Sequence, residues 1–222
     1  MSRSAGGGVD PRWDDPVAGW KLKEYSDGSG AVPRADVLGV YELTDTNTTA
    51  SAAGIIGNGA SIVTLDTNYL SNAALSFTGG SWTLVTWFKP TDLDANRMLL
   101  GCETANTGFR VEARIGGNAT VGIYDAAGSL SLTLPVAFTA GNWTMLTLWS
   151  DGVKTYGAFN GGGTTEAAKS PAANTGLNLG TKLAPSTYVN GVIDETYIFS
   201  TAKDAAWRTD MYNAGAGRSY PS

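Results

Sequence analysis

The sequence predicts an all-β protein, a two-sheet antiparallel β-sandwich with one short C-terminal helix, and three observations lead there. Residues 81–90 and 142–152 open on Trp82 and Trp143, run through Thr and aliphatic residues, and stop at Pro90 and at Asp151-Gly152. Both segments carry apolar or aromatic residues at successive positions, so both of their faces must be covered, as in a sandwich. The chain has 29 Gly and 8 Pro spread along 222 residues, which reads as many turns between short strands. Function is then expected on rims and loops rather than within these core strands.

Residues 1–18 read as an extended arm ahead of a sandwich domain at 19–222. Three consecutive glycines (Gly6 to Gly8), Asp10-Pro11 and Asp15-Pro16 oppose regular structure, and Trp13 is the one large apolar residue. Something must hold such an arm, either the domain itself or a neighbouring chain. Val9, Pro11, Trp13 and Pro16 are the expected contacts with a partner. Deleting the arm is expected to leave a folded domain.

The strands begin at Gly19. Trp20-Lys21-Leu22-Lys23 alternates, Asp27-Gly28-Ser29-Gly30 turns, and Tyr41-Glu42-Leu43-Thr44 precedes a polar loop at 45–49. The glycines of 54–63 suggest a bulge or a close sheet contact. Further strands are expected at 97–102, 108–115, 120–125, 129–134, 153–159, 176–180 and 188–199. A helix is expected near 204–213: residues 201–204 resemble a capping box, Trp207 and Met211 share a face four apart, and Gly215 is placed to end it.

The composition excludes several chemistries. A net charge of −5 with no cluster of Lys or Arg argues against nucleic acid. No apolar run is long enough to cross a bilayer, and the first residues lack the apolar stretch of a secretory signal. Histidine is absent, which removes Ser-His-Asp and Cys-His machinery and imidazole metal sites. Cys102 is the single cysteine, so no intrachain disulfide forms; its apolar strand suggests a small buried hydrophobe.

Several segments resemble one family. The Trp82 segment resembles the strand Phe-Thr-Ile-Ser-Ala-Trp-Val-Lys-Pro of laminin-G-like domains in the concanavalin-A-like lectin and glucanase superfamily. The Trp143 segment resembles that family's Asn-Trp-His-His-Val-Ala strand with its Asp-Gly turn. Phe159-Asn160-Gly161 resembles its Val-Asn-Gly hairpin. Residues 191–199 look like its Gly-x-Ile-Asp-Glu-Val-x-Ile-Tyr strand, and residues 20–24 and 54–60 look like its opening strands. These pieces in order, over about residues 19–215, imply a concanavalin-A-like jelly roll. Stand-alone domains of this kind are found in bacteriophage virion proteins. The resemblance therefore implies a non-catalytic structural or adhesion protein on the outer surface of a virion, as a capsid decoration or tail-associated protein. It would be a homo-oligomer that meets other virion proteins through the arm and host-surface glycans through the sandwich. The alternatives are a free carbohydrate-binding module and, behind it, a glycoside hydrolase.

Glycanases of the superfamily carry a Glu-x-Asp-x-x-Glu strand, and none of the Glu residues here starts one. No catalytic residue is therefore assigned. Glu103 and Glu112 are expected to face each other across a hairpin, with Arg110 and Arg114 offering plain salt bridges. No cofactor is required by the sequence. The resemblance implies a rim Ca2+ as a candidate, at Asp66 and Asp194 with Asn68 and Asn190 as oxygen donors. The competing reading has Asp194 and Glu195 bonded to backbone amides at a strand crossing and Asp66 capping a turn. Trp13, Tyr25, Tyr41, Trp207, Tyr212 and Tyr220 are the aromatic candidates for stacking on sugars, set against ordinary packing.

Overall fold

The computed structural model describes residues 10–77, 80–104, 107–125, 127–183 and 185–221. Its fifteen described strands are β1 (Pro16–Trp20), β2 (Thr44–Thr46), β3 (Ala50–Ala53), β4 (Asn58–Ile62), β5 (Tyr69–Phe77), β6 (Ser81–Pro90), β7 (Arg97–Gly101), β8 (Gly108–Ala113), β9 (Asn118–Asp125), β10 (Gly128–Ala137), β11 (Thr144–Asp151), β12 (Thr155–Phe159), β13 (Thr164–Ala167), β14 (Asn174–Leu179) and β15 (Gly191–Phe199). They form two antiparallel sheets. The first has the order β13-β12-β11-β6-β15-β4-β3, with β1 also paired to β15; the second has the order β10-β9-β8-β7-β14-β5-β2.

The two Trp-led segments are direct neighbours: β6 and β11 pair from Phe88 opposite Thr144 to Ser81 opposite Asp151. Their alternation divides the aromatic residues between two cores. Trp82, Leu84 and Phe88 point between the sheets, with Leu146 and Leu148 beside them. Val85, Trp87 and Met145 point outward into a second apolar cluster with Trp13, Tyr197, Phe199, Trp207 and Met211. The part of the first sheet's outer face around β6 and β15 is thereby buried.

The lid over that face is the helix α1 (Ala205–Tyr212) and the two ends of the chain. Asp204 caps α1 by accepting from the Trp207 N–H at 2.8 Å, so the cap falls three residues after the Thr201 start of the expected box. Asn213, in the left-handed region at φ 48°, ends the helix before Gly215 is reached. Trp207 and Met211 are both buried, as their spacing predicts.

From Asp10 onward the expected arm belongs to the sandwich. Trp13 is 4% exposed, with its ring centroid 5.0 Å from Tyr197 and 5.1 Å from Tyr220. β1 starts at Pro16, paired to Phe199, two residues before the expected boundary at 18. The physical reason is the indole: an apolar surface of that size gains more against the outer face of the sheet than in water. Lys203 Nζ adds a tether to the Asp14 carbonyl at 2.9 Å. Of the four expected partner contacts, Trp13 and Pro16 are used within the domain, Pro11 is exposed, and Val9 lies outside the described residues. The strand expected at 20–23 ends at Trp20, because Leu22 adopts φ 53° and breaks the extended run.

Candidate functional site

The cluster under α1 covers the first sheet around β6 and β15, and the outer face of the second sheet carries no such helix among the described residues. Phe109 and Val111 point into the core, so Arg110 between them points out, and the pairing register carries that side across the sheet. Ser131 lies opposite Gly122, Gly122 opposite Arg110, Arg110 opposite Gly101, Gly101 opposite Asn178, and Asn178 opposite Ser71. A row of small and polar residues thus crosses six strands with one long cation in it.

Arg110 is the centre of this row. Its Nη1 donates to Glu103 Oε2 at 3.0 Å and its Nε to Glu112 Oε1 at 2.9 Å, while Arg114 Nε stands 3.5 Å from Glu112 Oε2. Its guanidinium lies 5.2 Å from the centroid of the Tyr124 ring, within cation–π range. Burial alone would lower the Arg110 pKa, but the hydrogen bond and charge of Glu103 reverse this and hold it raised. Burial also raises the Tyr124 phenol, with the Glu103 charge adding to it. Both side chains therefore keep a fixed charge state near neutral pH.

Two glycines give this cluster its space. A Cβ at Gly122 would stand 3.0 Å from the Tyr124 ring edge and hydroxyl and 3.3 Å from Arg110 Cγ. A Cβ at Gly101 would stand 3.3 Å from the Lys182 Cα, so its absence lets the turn after β14 close over β7. Asn178 Nδ2 holds that turn through the Lys182 carbonyl at 2.8 Å. The result is a floor at Gly122, an aromatic and cationic wall at Tyr124 and Arg110, two carboxylates, and the exposed Ser129, Ser131 and Thr133 of β10 alongside. Such a surface can stack on a ring and exchange hydrogen bonds with hydroxyls. Both carboxylates accept from the same guanidinium.

The other sequence candidates are dispersed. Asp194 is fully buried and accepts from the backbone N–H groups of Ile55 at 2.8 Å, Ile56 at 3.1 Å and Glu195 at 2.9 Å. Asp66 is exposed on the turn 64–66. Asn68 accepts from Val63 N at 2.7 Å, and Asn190 donates to Asp92. These residues do not fit a Ca2+ site: the carboxylate expected to lead it is buried against three backbone N–H donors, and Asp66 is exposed on a separate turn. Among the described residues no group of three or more His, Cys, Asp or Glu is placed to hold a metal. Likewise no described helix is long and apolar enough to cross a membrane.

Five of the six aromatic candidates pack against the protein. Trp13 and Trp207 are buried in the outer cluster, Tyr41 packs on the core, Tyr212 stacks on Trp87 at 5.8 Å and Tyr220 meets Trp13 edge-on. Tyr25 is 76% exposed. Tyr124 was not among the candidates; its spacing of two from Gly122, beside an Arg in the preceding strand, was the available signal.

Comparisons with known proteins agree with this architecture. Domain 4 of AbnA, a GH43 extracellular arabinanase from Geobacillus stearothermophilus, solved in complex with arabinotriose, superposes with a TM-score of 0.66 at 19% identity, over 88% of this chain and 97% of that one. The binding domain of Paraclostridial Mosquitocidal Protein 1 gives 0.69 at 13% identity, over 91% of this chain and 52% of that one. The botulinum neurotoxin serotype D ligand binding domain, in complex with N-acetylneuraminic acid, gives 0.69 at 12% identity, over 90% and 51%. The chain thus spans about half the length of these toxin domains, and at such identities the likeness is one of fold. No curated protein matches the chain in sequence. Residues 64–207 match the Laminin_G_3 family, and the chain belongs to this family of the concanavalin A-like lectin/glucanases superfamily.

Proposed function

We propose that this protein is a non-catalytic glycan-binding protein that holds its ligand on the outer face of the second sheet, at Tyr124, Arg110, Glu103 and Glu112. The observation that carries this reading is the Arg110–Tyr124 pair set over Gly122 on the outer face of the second sheet, beside the exposed Ser129 and Ser131 of β10. The ring supplies a stacking face, and the ion-paired guanidinium retains N–H groups for sugar oxygens. The lectin-like relatives support the same class of ligand.

The finer expectations belong to the same proposal: a bacteriophage virion surface protein, homo-oligomeric, joined to other virion proteins through its N-terminal residues. They rest on the sequence resemblance. The internal use of Trp13 and Pro16 narrows the attaching segment to Pro11 and the residues ahead of Asp10.

A glycan array followed by titration calorimetry with arabinotriose and with the strongest array ligand tests the proposal. Tyr124→Ala and Arg110→Ala should each weaken binding about tenfold or more, as expected for a lost stacking face or charged hydrogen bond. A folded protein that binds no glycan, or whose binding survives both changes, would sink it.

A further inference from the structure

Among the described strands β1, β2, β3, β10 and β13 each pair with one neighbour, and β10 (Gly128–Ala137) differs from the rest. It has ten residues, against five in β1, four each in β3 and β13 and three in β2. An edge strand presents unpaired N–H and C=O groups to any further strand, and proteins guard against this with short edges and with charged side chains. β10 has neither: residues 128–137 carry no charge. Ser129, Ser131 and Thr133 are exposed on the outer face, and Leu132 and Leu134 are buried on the inner one. Leu130 shares the inner side yet is 38% exposed. β13 runs close by in the first sheet but pairs with β12 alone, and Lys169 Nζ takes the Gly128 carbonyl at 2.9 Å at the hairpin end. Pro135, with no N–H to offer, closes the run at the other end.

We propose that β10 is the contact between two copies of this chain, pairing antiparallel with itself about a two-fold axis at Ser131. The pattern of the strand selects its own copy. Antiparallel pairing keeps inner faces together only when residues of like parity meet, and Ser131 is the midpoint of the run Gly128 to Leu134. Leu130 of each copy then meets Leu132 of the other beneath the sheet, and Ser129 meets Thr133 above it. No like charges are opposed along the pair, and the exposed Leu130 gains an apolar neighbour. The two second sheets become one continuous sheet. Arg110 lies two strands in from β10, so its two copies face the same side about 24 Å apart, five strand spacings of about 4.8 Å. The inference rests on the homo-oligomeric part of the reading above and is independent of what the outer face binds.

Sedimentation velocity of the full chain from about 1 μM to about 1 mM covers the range of a single-strand interface. The wild type should pass from monomer to dimer. Ser131→Lys and Ser131→Glu, at an exposed position, each set like charges opposite one another at the axis and should weaken the dimer about tenfold or more, with unchanged urea midpoints. An equimolar mixture of the two variants should restore dimerisation, because Lys then faces Glu. A wild type that stays monomeric throughout overturns both the edge contact and the homo-oligomer, and leaves β10 to an unlike strand. A dimer that persists in both variants overturns the edge contact alone and puts the oligomer on another surface. A mixture that stays monomeric overturns the register centred on Ser131.

Discussion

Asp194 holds the backbone N–H of Ile55 at 2.8 Å, joining the middle of β15 to the loop before β4. Gly54 makes the contact possible, since a Cβ there would fall 2.3 Å from Asp194 Oδ2. The next residue, Glu195, takes the left-handed φ of 44° at a bulge against β6. It accepts from the Tyr197 hydroxyl and stands 3.5 Å from Lys23 Nζ. Through Tyr197, whose hydroxyl oxygen accepts from Tyr220 N at 3.0 Å, the same bulge fixes the last residues of the chain. Two buried carboxyls thus lock a loop and a tail onto one strand.

That lock predicts a pH dependence. Burial raises the Asp194 carboxyl to about 7 against its three N–H donors, with the Glu195 charge adding to the rise, and burial raises Glu195 as well. A carboxyl with a raised folded-state pKa binds its proton more tightly folded than unfolded. Its contribution is therefore most favourable below about pH 4, and stability falls as pH rises towards 7, then levels off. For Asp194 the slope is at most about 1.4 kcal/mol per pH unit. Urea midpoints between pH 4.5 and 8 should show this fall. Asp194→Asn should flatten it, though at lower stability throughout, because one amide oxygen cannot serve three N–H groups. An unchanged slope in that variant would refute the assignment.

Removing residues 1–18 should cost the fold, contrary to what the sequence alone suggested. Trp13→Ala should destabilise by about 3–5 kcal/mol in urea unfolding, the range for a large buried aromatic. If the truncated chain unfolds with the wild-type midpoint, the second apolar cluster does not need its N-terminal residues.

Gly122→Val should separate binding from stability. A β-branched residue suits a strand interior, so the urea midpoint should hold or rise. The new Cβ nevertheless displaces Tyr124 and the Arg110 stem, and glycan affinity should fall about tenfold or more. Unchanged affinity would place the ligand elsewhere.

Cys102 should be inert in the native protein. It is fully buried, and burial pushes its thiol up to about 12, leaving almost no thiolate at pH 8. A thiol reagent such as DTNB should react stoichiometrically in 6 M guanidinium and negligibly without it. Rapid native labelling would mean that the β7 end opens.

The sequence made the fold legible where one strand carries its whole signal. β6, β11 and β15 have apolar side chains on both faces and clear stops, and they are where the segments led by Trp82, Trp143 and Gly191 place them. β3 and β13 are four-residue edge strands of Ala, Ser, Thr and Glu, and β5 mixes Ser, Asn and Ala around a register shift opposite Thr175 to Leu177, so none shows a clean alternation. The salt bridges of Glu103 and Glu112 to Arg110 were readable because all three lie within one hairpin. The rest of the site was not. Gly122 and Gly101 become neighbours of Arg110, and Asn178 of Gly101, only through register across four strands, and no local pattern encodes register between distant segments.

The covered outer face has a consequence for how the protein is displayed. Trp13 and Tyr220 meet on the first sheet, while Arg110 and Tyr124 occupy the outer face of the second. A support bound at the Trp13 side would be a mount at the back of the sandwich. The front then points away from the mount and meets a ligand unobstructed, and many copies fixed to one support would all present it in the same direction.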